Sequence, residues 1–345
     1  MFFRVLGIVN ILVSSMGLKI SIITPSYNQG DYIEQTIKSV VEDQDYDNIE
    51  YIVIDGGSTD QTVDILKKYD DKIAFWVSEP DKGQTNAINK GVAKATGDII
   101  TWLCSDDYYE PNILGGVITR FKDNPEVNLI CGNRRTFGYG IQDTIYQGLL
   151  IKPSIEENIC SGQFDQPPSF FRKECWDEIF PLNESLHVFM DLEMWLRYLV
   201  FYGTRQVLHW NKQIANGRFH ADSKSVTQTV ECRKVRNAIC CDLYEAIGIG
   251  KKLQSELKSI ERSPYLGNWK IKQDFNKDRL ESSIYNAFGQ QFGDATFIYR
   301  DVASYFMYLG NSAAAIENTK MALNKDPLNI KNWRALLYAF RQKYL

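Results

Sequence analysis

From residue 19 onward, short apolar runs alternate with segments whose apolar residues recur at helical spacing. Residues 19–24 (Lys-Ile-Ser-Ile-Ile-Thr) read as a strand, and residues 32–41 place Ile33, Ile37, Val40 and Val41 on one helical face. The alternation continues with a strand at 50–55, a helix at 62–69, a strand at 73–77, a helix at 85–95 after the turn Asp81-Lys-Gly83, and a strand at 98–104. This β-α-β-α-β-α-β order predicts an α/β fold with a doubly wound, mostly parallel sheet and helices on both faces. Further on, Pro111 at a first-turn position predicts a helix start, and 128–131 a strand. Glycines, polar residues and short apolar runs over 134–162 predict hairpins or loops. Residues 165–171 read as a turn into a short strand, 190–201 as a helix, and 207–209 and 214–219 as the last strands.

After Ser225 the pattern becomes helical, charged and amphipathic, which divides the chain into an apolar extension (1–18), an α/β domain (19–225) and an all-α region (226–345). In the last region Gly310, Ala315, Ala322 and Pro327 stand at offsets of five, seven and five, as in the second half of a tetratricopeptide repeat. Tyr299 and Phe306 fit its first helix, and Trp333 with Leu336 opens a partial second repeat; a plain helical hairpin is the alternative. Such a tail is a candidate surface for a protein partner. Residues 1–15 are apolar apart from Arg4 and a few polar positions, but fall short of the roughly 18 apolar residues of a spanning helix. They read as extra peptide ahead of a start at Met16, as a helix touching the membrane, or as a signal segment. The third reading is weakened because Lys19 begins the fold almost at once.

Net charge is −4, so no polycationic footprint for nucleic acid exists. Seven cysteines, an odd number without CxxC spacing, argue for reduced thiols in a cytoplasmic protein, at most at the inner face of the membrane, rather than for a disulfide or zinc framework.

The candidate chemistry lies at two strand ends. Ligands of an open parallel sheet sit beyond the carboxyl ends of its strands. At one such end Asp55 is followed by two glycines, which allow close backbone approach, and by Ser58 and Thr59 as hydroxyl donors and helix caps. At the other, Trp102-Leu-Cys-Ser-Asp-Asp107 places adjacent carboxylates, Asp106 and Asp107, a hard oxygen pair suited to Mg²⁺ or Mn²⁺ bridging a diphosphate.

With these, Ile23-Thr-Pro-Ser-Tyr-Asn-Gln29, Asp55-Gly-Gly-Ser-Thr-Asp60, Ser78-Glu-Pro-Asp-Lys-Gly-Gln84, Asn86-Ala-Ile-Asn-Lys-Gly91, Gly97-Asp98, Ser105-Asp-Asp107, Asp191-Leu-Glu-Met-Trp-Leu-Arg197 and Arg218-Phe-His220 follow one another in order. Over roughly residues 19 to 225 the chain resembles the family 2 nucleotide-sugar glycosyltransferases of the GT-A fold. That resemblance implies a UDP- or GDP-sugar donor, with Thr24, Pro25, Tyr27 and Asn28 around base and ribose, Asp55 on the base, Asp106 on the ribose, and Lys82 and Gly83 facing the donor. It implies a divalent metal, Mn²⁺ or Mg²⁺, on Asp107 with His220 as second ligand. Arg218 and Lys224 are candidates for the diphosphate, with a solvated position as the alternative. Ile88 stands where many relatives carry a basic residue before the asparagine, so that helix brings no cation there.

Asp191 matches the position of the catalytic base, with Met190 where relatives have Glu. Glu193 lies about 200° around the helix from it and is set for an i, i+4 pair with Arg197. One Asp deprotonating the acceptor directly needs no covalent nucleophile and predicts inversion at the anomeric carbon. Gln166, Pro167 and Trp195 are expected to border the acceptor, a glycan or lipid-linked glycan of a surface polysaccharide, while His187 and His209 are read as structural. Two other readings compete. A non-catalytic scaffold would work through the helical tail. A sugar-nucleotide nucleotidyltransferase would need a Gly-rich, Arg-containing loop after the first strand, and Ser26-Tyr-Asn-Gln-Gly30 is not one.

Overall fold

The computed structural model describes residues 17–139, 141–224, 229–249, 267–288, 316 and 320. The tetratricopeptide-like stretch, apart from residues 316 and 320, and the apolar residues 1–15 lie outside these. The chain divides into two compact units. One comprises the chain up to Arg134, Asp165–His187 and Arg205–Gly217; the other comprises Arg135–Phe164, Val188–Thr204 and the chain from Arg218 on.

The first unit opens with β1 (Ile20–Ser26), α1 (Ile33–Val41), β2 (Ile49–Asp55), α2 (Thr62–Lys68), β3 (Phe75–Ser78), α3 (Gln84–Val92) and β4 (Ile99–Trp102). The strands pair in parallel in the order β3-β2-β1-β4. β1 is buried along its whole length, as expected of a central strand covered on both faces, and therefore reads as a nearly unbroken apolar run. On one face Ile20 and Ile22 meet Ile33, Ile37 and Val40 of α1 within the main core. On the other, α3 approaches β1 so closely that a Cβ at Gly91 would lie 2.4 Å from Cγ2 of Ile23.

Register decides where the chemistry falls. Ser26 is level with Asp55, Asp55 with Ser78, and Ile23 with Trp102, so β1 to β4 end along one edge. The sheet then becomes mixed. After β5 (Tyr108–Tyr109), α4 (Leu114–Asp123) and β6 (Leu129–Gly138), the chain enters the second unit with β7 (Thr144–Tyr146), β8 (Leu149–Leu150), α5 (Ile155–Ser161) and β9 (Gln163–Phe164). It returns through β10 (Ser169–Arg172), antiparallel to both β4 and β6, and α6 (Lys173–Ile179). The second unit holds α7 (Met190–Tyr202), and β11 (Val207–Phe219) runs antiparallel to β5 in the first. In the second unit α9 (Lys277–Phe288), which follows α8 (Thr229–Ile247), packs on α5, and buried Glu156 accepts from the backbone N–H of Asn276 at 2.8 Å.

Three sequence expectations need correction. The helix expected from Pro111 begins at Leu114, because Asn112 takes a left-handed φ of 56°. Its first N–H groups are satisfied from far along the chain: Gln44 Oε1 accepts from Ile113 and Leu114, and Asp45 Oδ1 from Gly115. Residues 207–219 form one strand instead of two. The polar residues between the two apolar runs face outward, and Trp210 is held by the Arg120 guanidinium 3.7 Å from its ring centroid. Finally, the stretch expected to be hairpins or loops contains a helix, α5, whose N-cap Ser154 accepts from the Glu157 N–H.

Candidate active site

The aligned strand ends of the first unit carry most of the expected donor residues. Asp55 is fully buried at the end of β2. Its Oδ2 accepts from the N–H groups of Gly57 and Ser58 and from the Ser78 hydroxyl at 2.6 Å, and its Oδ1 accepts from the Ser58 hydroxyl at 2.5 Å. One carboxylate thus ties β2, β3 and the glycine turn together, while Oδ1 keeps unused acceptor capacity. Gly57 has φ 83°, a left-handed backbone that favours glycine.

The turn after β1 is locked onto the same loop. Asn28, itself left-handed at φ 51°, donates its N–H to the Ser58 hydroxyl at 2.7 Å and accepts from Thr59 N–H at 2.9 Å. Between them the ring of Tyr27 is 60% exposed, a free aromatic face at the sheet edge. Thr24 and Pro25 lie deeper: both are buried, and the Thr24 hydroxyl accepts from Tyr51 at 3.0 Å. At the end of β3, Asp81 accepts from the Gly83 N–H at 2.6 Å, and Gly83 uses φ 104° to start α3. Lys82 is exposed beside it. The N-terminus of α3, with its partial positive charge, therefore stands at the carboxyl edge of the sheet.

At the end of β4 the turn 103–107 is braced by the buried Thr36 of α1, whose hydroxyl lies 2.9 Å from the carbonyl of Ser105 and 2.6 Å from that of Asp107. The turn brings the ligand atoms of Cys104, Asp106 and Asp107 within 4.8 Å of one another, and Gln84 of α3 donates its side-chain amide to Cys104 Sγ at 3.1 Å. Two carboxylates and a sulfur on one short turn suit a divalent cation that keeps positions open for phosphate oxygens and water. The sequence expectation rests on the two acids, with Cys104 only one of seven reduced thiols. The missed signal was its place two residues before Asp106. Gln166, expected near the acceptor, is 5% exposed, and its amide donates to the carbonyl of Trp102 at the same strand end.

The other expected residues belong to the second unit. Asp191 lies in the first turn of α7, entered through Phe189 at a left-handed φ of 58°. Glu193 is buried and makes the i, i+4 ion pair with Arg197, Oε2 to Nη2 at 2.9 Å. Trp195, expected to border the acceptor, is only 1% exposed; it stacks on Phe164 and on Tyr198, with centroids 5.1 and 5.5 Å away. Its ring therefore anchors the helix carrying Asp191. The Arg218 guanidinium sits 4.9 Å from the Phe137 ring centroid, and His220 closes a tight turn in which its N–H donates to the Ser223 hydroxyl. In the first unit, His209 bonds Asn133 at 2.8 Å, and burial lowers its pKa, as fits a structural role.

Comparison with known proteins agrees with this architecture. Residues 21–171 match the family model for glycosyl transferase family 2. An uncharacterized glycosyltransferase of Mycobacterium tuberculosis is 37% identical over 114 residues, covering 33% of this chain and 44% of that protein. The match thus spans less than half of that relative's length. An uncharacterized glycosyltransferase of Nostoc is 24% identical over 291 residues, covering 76% of this chain and 88% of that protein. Among solved structures, Staphylococcus aureus TarS 1-349 in complex with UDP superposes with a TM-score of 0.55 at 14% identity, covering 94% of this chain and 92% of that one. The mannosyltransferase PcManGT of Pyrobaculum calidifontis, in complex with GDP-Man and Mn²⁺, gives 0.50 at 15%, covering 96% and 82%. At such identities the likeness is one of fold. Residues 21–171 thus match the glycosyl transferase family 2 model, within a chain whose fold is that of GT-A glycosyltransferases.

Proposed function

We propose that this protein is an inverting, divalent-metal-dependent glycosyltransferase that moves a hexose from a UDP- or GDP-sugar to a glycan or lipid-linked acceptor. The observation that carries this reading is the acidic turn after β4: Asp106 and Asp107, with Cys104, present their ligand atoms within 4.8 Å of one another at the sheet edge where Asp55 also ends its strand. Solved structures that share this fold were obtained in complex with UDP or with GDP-Man and Mn²⁺, which supports a nucleotide-sugar donor here.

In this proposal Tyr27 offers its exposed ring to the base, Asp55 Oδ1 accepts from a ring N–H, and Asp106 accepts from ribose hydroxyls. An acceptor at that place favours uracil or guanine, which present ring N–H donors, over cytosine. Asp107 is the first holder of the cation, with Asp106 beside it; when bound, the cation supplies charge neutralisation on the leaving diphosphate. Asp191 acts as the general base on the acceptor hydroxyl, whose oxygen then displaces the diphosphate from the opposite face of the sugar and inverts the anomeric centre in one step. The buried Glu193–Arg197 pair and the Trp195 stack fix the helix that carries it.

Calorimetric titration with UDP, GDP and CDP, each with and without Mn²⁺, tests this reading on the wild type and on Asp107→Ala. Metal-dependent binding of UDP or GDP that disappears in the variant is expected. Failure of every nucleotide to bind the wild type would reject the mechanism and leave a scaffold.

A further inference from the structure

The geometry points to Cys104 as a sulfur ligand of the cation held by Asp106 and Asp107, a donor that shifts this site's metal selectivity from Mg²⁺ toward thiophilic cations such as Zn²⁺, Co²⁺ and Cd²⁺. The inference rests on the metal-dependent reading above and concerns which cation the site prefers.

The three ligand atoms lie within 4.8 Å of one another. Metal–sulfur and metal–oxygen bonds of about 2.3 and 2.1 Å put neighbouring ligand atoms about 3–4 Å apart, so modest side-chain rotations close the set. The sulfur is also presented for such a role from outside the cluster. Gln84, at the start of α3, donates its side-chain amide to Sγ at 3.1 Å, which fixes the sulfur as an acceptor in this position. Outer partners of this kind commonly orient metal-binding side chains. Exposure separates Cys104 from five other cysteines as well. Cys131, Cys160, Cys175, Cys240 and Cys241 are buried, and burial pushes the thiols of Cys131 and Cys160 up to about 12, as expected of inert core residues, whereas Cys104 is partly exposed at the strand ends. Finally, Thr36 holds the carbonyls of Ser105 and Asp107, so the backbone carrying all three donors is fixed before a cation arrives. Hard oxygen pairs alone suit Mg²⁺ and Mn²⁺; adding sulfur favours softer cations.

The test titrates Co²⁺ and Cd²⁺ into the full chain, reading the ultraviolet sulfur-to-metal charge-transfer absorption, with Mn²⁺ binding followed separately by electron paramagnetic resonance. Wild type is compared with Cys104→Ser and Cys104→Ala. The inference expects a charge-transfer band in the wild type that vanishes in both variants. Cd²⁺ affinity should fall about tenfold or more while Mn²⁺ affinity changes far less. Cations that bind the wild type without the band overturn sulfur ligation and leave the carboxylate metal site intact. A band that survives both substitutions assigns the sulfur to another cysteine and equally overturns it. If the wild type binds no cation even with UDP or GDP present, the metal-dependent reading fails and this inference fails with it. The wild-type spectrum decides the matter even if a variant does not fold.

Discussion

Replacing Asp55 by Ala tests whether its carboxylate builds the donor edge as well as reading a base. The substitution removes the acceptor of four donors at once: the Gly57 and Ser58 N–H groups and the Ser58 and Ser78 hydroxyls. Hydrogen bonds to a charged group contribute about 1.5–3 kcal/mol each. Two discounts apply. Gly57, Ser58 and Ser78 are only partly buried, so water recovers some of each bond, and removing a buried carboxylate relieves its own desolvation. A net loss of about 2–3 kcal/mol follows, or a fall of roughly 5–10 °C in melting temperature at about 2–4 °C per kcal/mol. Amide exchange at Gly57 and Ser58 should quicken about thirtyfold or more, because the loop loses its anchor to β2 and β3. Asp55→Asn keeps the shape and one good acceptor, so its fall should be smaller, with Ser78→Ala smaller again. Differential scanning fluorimetry and hydrogen exchange measure both quantities. If Asp55→Ala melts with the wild type and the Gly57 and Ser58 amides stay as protected, the carboxylate is not the keystone of the edge and this reasoning fails.

Other expectations follow from the same structure. Thr36→Val leaves the buried carbonyls of Ser105 and Asp107 without their hydroxyl donor, so urea unfolding should show a loss of about 1–3 kcal/mol together with weaker Mn²⁺ binding; unchanged metal affinity would mean the turn does not need its brace. Gly91→Ala drives a Cβ into Ile23, and overpacking of about 1–3 kcal/mol should outweigh the roughly 1 kcal/mol that alanine favours in a helix, so the variant should melt lower than the wild type. Burial opposes ionisation of Glu50, but hydrogen bonds from Lys19, Ser21 and Thr96 outweigh it and bring the carboxyl down to about 2. Since this folded-state value lies below the unfolded one of about 4.3, Glu50 stabilises the protein by roughly 2–3 kcal/mol above about pH 5 and loses this as pH falls toward 2. Urea midpoints of wild type and Glu50→Gln should therefore converge on acidification, and a constant gap would disprove the linkage.

Much of the first unit was legible because its information is local. β1 to β4 and α1 to α3 appear within a few residues of their expected bounds, since a buried strand needs an apolar run and a surface helix needs an apolar stripe. What was missed had its cause elsewhere in the chain. The start of α4 depends on Gln44 and Asp45, some 70 residues away in sequence. The continuity of β11 depends on Arg120 and on pairing partners that no pattern within 207–219 reveals. α5 is the exception, because Ser154 followed by Glu157 is a readable capping signal that the polar surroundings hid.

The candidate site divides along the same line. The sequence by itself determined that acids and glycines follow strands at two places, Asp55-Gly-Gly and Ser105-Asp-Asp107, and that the alternation of elements lays those strands side by side. It determined the Glu193–Arg197 pair as well, since helical geometry puts i and i+4 together whatever surrounds them. Only the tertiary structure decided that Asp55 ties its own loop to β3, that Trp195 is packed away from solvent, and that Cys104 lies beside Asp106 and Asp107. The physical reason is reach. Periodicity specifies which face of its own element a side chain occupies, whereas its neighbours depend on strand register and on side chains such as Thr36 and Gln84 arriving from other elements.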